Sequence, residues 1–373
     1  MMNTRIRILV ALTAIAAALG AQSPGAAVRL EQTFNAAAQA LRAGDLEKAE
    51  AGFREVLKAD PRSMPALGNL GVVYSRQDRP AEAVKVYRQA LRLAPNEPGL
   101  LLNLGLAHLK MDQYAEAKPL FAELVMRNSR NRQFRELLAT AQLYTGESAQ
   151  AVADLERMSR EPGDNAGALY LLALGYLKLQ KPAEAAAAFE ALVAELPVAR
   201  AKYFEGRARL ETGIFDEALA ALQQAYQAEP ALPGLETELG KVYVSLRDAE
   251  QATAHLRKAL EQNPNDLEAA YYLGAQLVQS GEFAAGAPYL ERVRALRPQM
   301  WGTAYYLGKA KLAMKKPAEA VTLLQEALQA APGDRSVQYQ LGRALLAAGK
   351  PAEGKAMLSK VGSGAPAEAP IRK

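Results

Sequence analysis

Two sets of side chains recur at spacings suited to contact with an elongated ligand. The first set consists of the asparagines Asn35, Asn69 and Asn103, which are separated by 34 residues each. An amide side chain carries both a donor and an acceptor, so a row of amides can hold a peptide backbone without reading its side chains. We predict that these three residues form a peptide-binding row, called the amide row below.

The second set combines aromatic and basic side chains and lies further along the sequence. Several of its tyrosines are followed four residues later by a lysine or an arginine, which places both side chains on one face of a helix. Aromatic rings stack on flat apolar groups, and basic groups pair with carboxylates. The predicted partner-binding groove consists of Tyr170, Tyr203, Arg207, Lys241, Tyr271, Tyr305, Lys309, Tyr339 and Arg343.

Residues able to carry catalysis or a metal ion are scarce. The sequence contains no cysteine, which excludes thiol nucleophiles and thiolate metal sites. Its two histidines, His108 and His255, are far apart in sequence, and we interpret both as packing or surface residues. Neither a glycine-rich phosphate loop nor a Gly-x-Ser-x-Gly motif is present. We therefore predict no enzymatic activity, no cofactor and no bound metal.

The charge pattern disfavours nucleic acid as a partner. The formal net charge is +5 and the isoelectric point is about 9.1, a small basic excess for 373 residues. Lysines and arginines alternate with acidic residues instead of forming a basic run. We predict that the ligand is not DNA or RNA.

The elements that position these side chains follow from a 34-residue period. A Leu-Gly pair stands 13 and 12 residues before a small residue, a bulky apolar residue follows the small one by four, and a proline closes most repeats. Two runs of helical spacing separated by a breaker indicate a helical hairpin, and a period of this size indicates stacked repeats. The small residues are Ala49, Ala83, Ala117, Ala151, Ala185, Ala218, Ala252, Gly286, Ala320 and Gly354.

At these columns the chain resembles the tetratricopeptide repeat family, over residues 30 to 361. The second repeat illustrates the match with Leu70-Gly71, Ala83, Tyr87 and Pro95. The resemblance implies an all-α fold, an α-solenoid that forms a right-handed superhelix of antiparallel helix pairs, with the first helices lining a concave groove. Asn and Tyr are common family choices in the two rows, so ordinary repeat consensus is the alternative explanation for them. The basic residues are less expected from the family.

The sixth repeat departs from the pattern. Its first helix carries Arg200, Lys202, Glu205, Arg207 and Arg209 within ten residues, and Glu205 stands where leucine belongs. This segment is either a binding hot zone or a rotated helix whose charges reach solvent. We favour the rotated helix, because a carboxylate at the leucine position is otherwise buried at a high cost.

The ends of the sequence differ from the repeats. Residues 1–21 combine Arg5 and Arg7, an apolar run of 12 residues from Ile8 to Leu19, and small residues, as in a secretory signal peptide. The run is too short to span a bilayer, and an uncleaved amphipathic anchor is the alternative. We predict a short linker over 22–29, a continuous array of about ten repeats over 30–361 and a disordered tail over 362–373. The chain is expected to be exported, either periplasmic or secreted, with no transmembrane helix.

Together these features predict an exported, non-enzymatic scaffold that binds protein or peptide segments through its concave groove. The resemblance to exported repeat proteins implies a process such as envelope assembly or secretion. The alternative is a carbohydrate-binding subunit of an envelope polysaccharide machine, because tyrosines stack on sugars and basic residues neutralise an acidic glycan. A role as the recruitment arm of an enzyme is weakened, because the repeats leave no residues for a catalytic domain.

Overall fold

The protein is built from paired helices. The structure, a computed structural model, describes residues 24–298, 300–361 and 371. Across this part of the chain it contains twenty α-helices and no strand, so the predicted all-α helical-repeat fold is confirmed. No helix among these residues is both long enough and apolar enough to cross a membrane. The predicted signal peptide, residues 1–21, lies outside the described residues.

The chain divides into two compact units, Met1–Ala188 and Phe189–Lys373, and the division falls within the tenth helix. The repeat pattern runs through both units, but the sequence pattern did not predict the division. The first unit contains α1 (Pro24–Ala43), α2 (Leu46–Ala59), α3 (Met64–Arg76), α4 (Pro80–Leu93), α5 (Pro98–Lys110), α6 (Tyr114–Arg127), α7 (Arg132–Tyr144), α8 (Ser148–Met158), α9 (Ala166–Lys178) and the start of α10 (Pro182–Glu195). The second unit continues with α11 (Val198–Glu211), α12 (Phe215–Ala228), α13 (Leu235–Ser245), α14 (Ala249–Gln262), α15 (Leu267–Gln279), α16 (Phe283–Leu296), α17 (Trp301–Ala313), α18 (Pro317–Ala330), α19 (Arg335–Ala347) and α20 (Pro351–Val361).

The turn between the two helices of each repeat contains one residue with a left-handed backbone. Five of these residues are glycines and five are not, and all recur at the repeat period. The next residue donates its N–H to a carbonyl five positions earlier, as from Lys316 to Lys311 at 2.9 Å, which closes the first helix in a Schellman motif. The left-handed residues are Gly44, Asp78, Asp112, Gly146, Gln180, Gly213, Arg247, Gly281, Lys315 and Gly349.

Close packing within each repeat explains the Leu-Gly column. A Cβ atom added to Gly308 lies 2.7 Å from Leu324 Cγ, and one added to Gly274 lies 2.8 Å from Leu290 Cγ. Both leucines are the bulky residues of their second helices and are fully buried. Only glycine on the first helix leaves room for these side chains at this helix separation.

The first helices of successive repeats contact one another, which places them on one face of each unit. These contacts join α1 to α3, α3 to α5 and α7 to α9 in the first unit. In the second unit they join α11 to α13, α13 to α15, α15 to α17 and α17 to α19. Side chains of neighbouring repeats therefore come together on the first-helix face.

Residues 24–29 of the predicted linker over 22–29 are helical. Helix α1 begins at Pro24, and the alanine-rich segment after Gly25 contains no further glycine or proline. Leu30 and Phe34 are buried one turn apart, so packing of this face against α2 holds the helix in place.

Candidate functional site

The second unit carries most of the predicted partner-binding residues on its first helices. Tyr203 and Arg207 lie on α11, Lys241 on α13, Tyr271 on α15, Tyr305 and Lys309 on α17, and Tyr339 and Arg343 on α19. Tyr170 lies on α9 in the first unit and is partly exposed. The exposed or partly exposed members of the second-unit set are Arg207, Lys241, Tyr305, Lys309, Tyr339 and Arg343.

Two of the basic residues are paired with carboxylates of the same or the neighbouring first helix. Arg207 Nε lies 3.1 Å from Glu238 Oε1, and Lys241 Nζ lies 2.8 Å from Glu238 Oε2 and 3.1 Å from Glu268 Oε1. The four side chains alternate in sign across α11, α13 and α15, and we call them the charged ladder. This part of the predicted groove is a row of ion pairs and not a basic surface.

The ladder has a buried middle and partly exposed ends. The side chains of Glu238 and Lys241 are 5% and 15% exposed, whereas those of Arg207 and Glu268 are 37% and 31% exposed. Burial disfavours the charge on Lys241, but the two carboxylates more than compensate and raise the pKa of Lys241 above its ordinary value. Lys241 therefore stays charged, and the ion pairs of the middle residues hold the two ends in place.

Glu238 was missed as a candidate, although a signal for it exists in the sequence. It occupies the position directly before Leu239-Gly240, the same column as Asn69 and Asn103. Next to it, burial and the nearby Glu238 carboxylate raise the pKa of Tyr203 to about 12. The Arg207 guanidinium lies 5.6 Å from the centre of the Tyr203 ring.

Four tyrosines on α15 and α17 form an aromatic cluster, Tyr271, Tyr272, Tyr305 and Tyr306. Ring centres are 5.5 Å apart for Tyr271 and Tyr272, 6.3 Å for Tyr271 and Tyr306, and 4.9 Å for Tyr305 and Tyr306. Tyr271 is fully buried, so it offers no surface on which a ligand can stack in this conformation. Tyr272 and Tyr305 remain partly exposed.

The last basic residue of the set is more accessible. Arg343 is exposed, and its guanidinium lies 5.8 Å from the centre of the Tyr339 ring. It also donates to Gln340 Oε1 at 3.4 Å. The predicted pairing of tyrosine and basic residue one turn apart thus brings two of the expected side chains together on α19.

The rotated-helix interpretation of the sixth repeat is wrong. Glu205 is buried, with 8% of its surface exposed. Its carboxylate lies 2.8 Å from Lys202 Nζ and 2.7 Å from Arg209 Nη2, and Arg209 also pairs with Glu217. Two cations on the same helix compensate the burial that the leucine position imposes, so the helix keeps its repeat orientation.

The amide row is not continuous at the surface. Asn35 is exposed, but Asn69 and Asn103 are 0% and 2% exposed. Among the residues described, neither amide atom of Asn103 has a hydrogen-bond partner. A peptide that used this row would have to displace the side chains that cover it, and peptide binding by these residues stays a prediction.

The first unit has its own cleft of about 800 Å³ next to α7, whose lining includes Leu138, Arg135 and Glu161. Arg135 Nη1 lies 2.8 Å from Glu161, and Asp154 and Arg157 of the cleft wall are also paired. These charged side chains of the cleft wall thus take part in ion pairs within the first unit.

Both histidines contact neighbouring side chains of the helical repeats. His108 is buried, its Nδ1 lies 2.7 Å from Gln113 Oε1, and burial lowers its pKa. His255 Nδ1 lies 2.6 Å from Glu236 Oε2, and its ring stacks on Tyr243. Within residues 24–298, 300–361 and 371, no group of three or more histidine, cysteine, aspartate or glutamate side chains is arranged to hold a metal ion.

Family models match most of the chain. One model of the tetratricopeptide repeat matches residues 75–141, 209–277 and 311–372, and a second model of the same repeat matches residues 34–98 and 170–233. A model described as anaphase-promoting complex, cyclosome, subunit 3 matches residues 245–327. No curated protein matches the chain.

Solved structures of other helical-repeat proteins are similar to parts or most of the chain. MamA 41-end from Desulfovibrio magneticus RS-1 is 23% identical with a TM-score of 0.41, over 44% of this chain and 94% of that one. A structure of MamA AMB-1 is 22% identical with a TM-score of 0.40, over 43% and 95%. The APC/C hetero-tetramer Cut9-Hcn1 is 14% identical with a TM-score of 0.49, over 92% of this chain and 78% of that one. At these values the similarity says nothing about a partner of this chain.

Proposed function

The chain belongs to the tetratricopeptide repeat family, and we propose that it is a non-enzymatic scaffold that binds an extended protein segment on the first-helix face of its second unit. The charged ladder carries this proposal. Its partly exposed ends have opposite sign, Arg207 at one end and Glu268 at the other, and its buried middle pair fixes them. A protein segment with an acidic and a basic side chain can pair with both ends.

The same ladder weighs against an acidic glycan as the ligand. A polyanion would gain from Arg207 but would be repelled by Glu268, and Lys241 is already shared between two carboxylates. A protein segment of mixed charge avoids this conflict. We therefore place the protein-binding function before the carbohydrate-binding alternative.

Binding is tested by capturing partners from a native cell extract and titrating the captured segment against variants. We expect Arg207→Ala to weaken binding about tenfold, because a hydrogen bond to a charged group contributes roughly 1.5 kcal/mol or more. Arg294→Ala is the matched control, since Arg294 pairs with Glu326 between the second helices α16 and α18 at a similar exposure. Equal losses in the two variants, or no loss in either, would contradict the proposed surface.

We also propose that the chain is exported and acts in envelope assembly or secretion. The support is the sequence of residues 1–21, with Arg5, Arg7 and the short apolar run that follows. Cell fractionation combined with N-terminal sequencing tests this, and the expected mature chain starts near Gln22. If only uncleaved protein is recovered, and only in the cytosolic fraction, the proposed export is ruled out.

A further inference from the structure

Ile371 packs against the hydrophobic core of the second unit. It lies in the segment after α20, within the predicted disordered tail over 362–373. The core cluster that it contacts comprises side chains of α15, α16, α17 and α18 and includes Tyr271 and Tyr306, with Tyr272 and Tyr305 at its edge. Ile371 itself is partly buried.

The chain can reach this cluster without disturbing the helices. Ile371 follows the end of α20, Val361, by ten residues, and ten residues span at most about 33–36 Å when extended. Packed helices lie about 8–10 Å apart, so the repeats formed by α15 to α18 are within that distance of α20. The contact is therefore compatible with the length of the connecting chain.

Two tyrosines of the aromatic cluster are buried and two are partly exposed. Tyr271 and Tyr306 are 0% and 3% exposed, although both stand on first helices. Tyr339 occupies the same column as Tyr271 in the tenth repeat and is partly exposed. The position of a tyrosine in the repeat thus does not by itself determine whether it is buried.

We propose that the aromatic cluster is a binding site for a branched aliphatic side chain in an extended segment, and that Ile371 of the same chain is its resident occupant. A site of partly exposed tyrosines around buried ones provides an apolar floor and a polar rim, which suits an isoleucine or valine anchor. The charged ladder is not needed for this contact. The tether places Ile371 at an effective concentration on the order of millimolar, so a weak contact suffices to keep the site occupied. An external segment with a similar anchor has to compete with it.

A labelled peptide of residues 362–373 tests this intramolecular contact without any external partner. Fluorescence polarisation measures its binding to the full-length wild-type chain and to full-length Ile371→Asp. We expect the variant to bind the peptide at least tenfold more tightly, because its own segment no longer fills the site. A peptide carrying the same Ile371→Asp change should not bind.

Two further variants locate the contact. Adding Tyr305→Ala to the Ile371→Asp chain should reduce peptide binding at least tenfold, whereas Met126→Asp, at a strongly exposed residue of the first unit, should leave wild-type behaviour unchanged. Equal affinity of the wild-type and Ile371→Asp chains, absence of binding to both, or insensitivity to Tyr305→Ala would overturn the proposal. Because Arg207 takes no part in this test, its outcome is independent of that of the charged ladder.

Discussion

The left-handed residue in each repeat turn allows the free-energy cost of this backbone conformation to be measured without a change in packing. Lys315 has φ of 59° and Gly281 has φ of 86° at equivalent turns of neighbouring repeats. A side-chain-bearing residue in this conformation costs about 1–2 kcal/mol, and glycine costs about 0.5–1 kcal/mol through the extra freedom of the unfolded chain. We expect Lys315→Gly to stabilise the protein by about 0.5–1 kcal/mol, because the conformational strain that it removes exceeds the added entropy cost.

The reverse substitution, Gly281→Ala, should destabilise the protein by about 1 kcal/mol. A Cβ atom added to Gly281 meets no other atom within 4 Å, so this loss comes from the backbone conformation and not from a clash. Lys315→Ala is the control, because it removes the exposed side chain while leaving a non-glycine residue in the left-handed conformation. We expect it to change the stability by less than about 0.5 kcal/mol.

Urea unfolding followed by tryptophan fluorescence suits this experiment. Trp301 is the single tryptophan of the sequence and begins α17, the helix that ends at the Lys315 turn. Its signal therefore reports on the repeat in which Lys315 lies, which matters because a repeat array need not unfold in one step. Gly281 lies in the preceding repeat, so Gly281→Ala is followed by circular dichroism, which reports on all the helices. A lower urea midpoint for Lys315→Gly by fluorescence, or an unchanged one for Gly281→Ala by circular dichroism, would refute the reasoning.

Three other predictions concern stability. Gly308→Ala should lower the free energy of unfolding by about 1–3 kcal/mol, read from the urea midpoint, because its new methyl group overlaps a buried leucine of the second helix. Burial opposes the charge of Glu236, but hydrogen bonds from His255 and Lys258 hold its pKa below the ordinary 4.5. The stability that the Glu236 carboxylate contributes is therefore complete above that pH and is lost as the pH falls below it. In thermal unfolding between pH 5 and about pH 2, the wild type should lose stability more steeply than Glu236→Gln. Asn103→Leu should raise the urea midpoint, by about 1 kcal/mol in free energy, since it replaces a buried amide without partners. A lower midpoint would indicate that the amide is satisfied in solution.

The sequence was sufficient to predict the helical pairs because their signals are local. Glycine before a turn, proline at a helix start and apolar residues one turn apart act within a single repeat, and the contact of Gly308 with Leu324 joins two columns visible in the sequence. The left-handed turn position could be recognised from the sequence only in the five repeats where glycine occupies it, because its other five members are not glycine. The turn geometry imposes that conformation on Gln180 and Arg247, whose residue types give no sign of it.

The site was less predictable because it depends on which side chains meet across repeats. Lys241 was expected to be available to a ligand, but its neighbours Glu238 and Glu268 come from its own helix and from the next first helix. Tyr271 and Tyr305 share one column, yet one is fully buried and the other partly exposed. Such differences arise from the side chains that pack over each residue, and a periodic sequence pattern does not show which side chains these are.

The contact of Ile371 also changes which parts of the chain are connected. Side-chain hydrogen bonds between repeats join residues about one repeat apart, such as Arg76 with Leu41 and Lys258 with Tyr226, at separations of 35 and 32 residues. The cluster against which Ile371 packs runs from Leu267 to Leu323, so this contact closes a loop longer than one repeat, at an entropy cost that grows only slowly with length. Helices α19 and α20 lie inside that loop whichever member of the cluster Ile371 contacts. Their amide hydrogens should therefore exchange with solvent as one cooperative group, whereas an open stack would lose protection from its outer repeat inward.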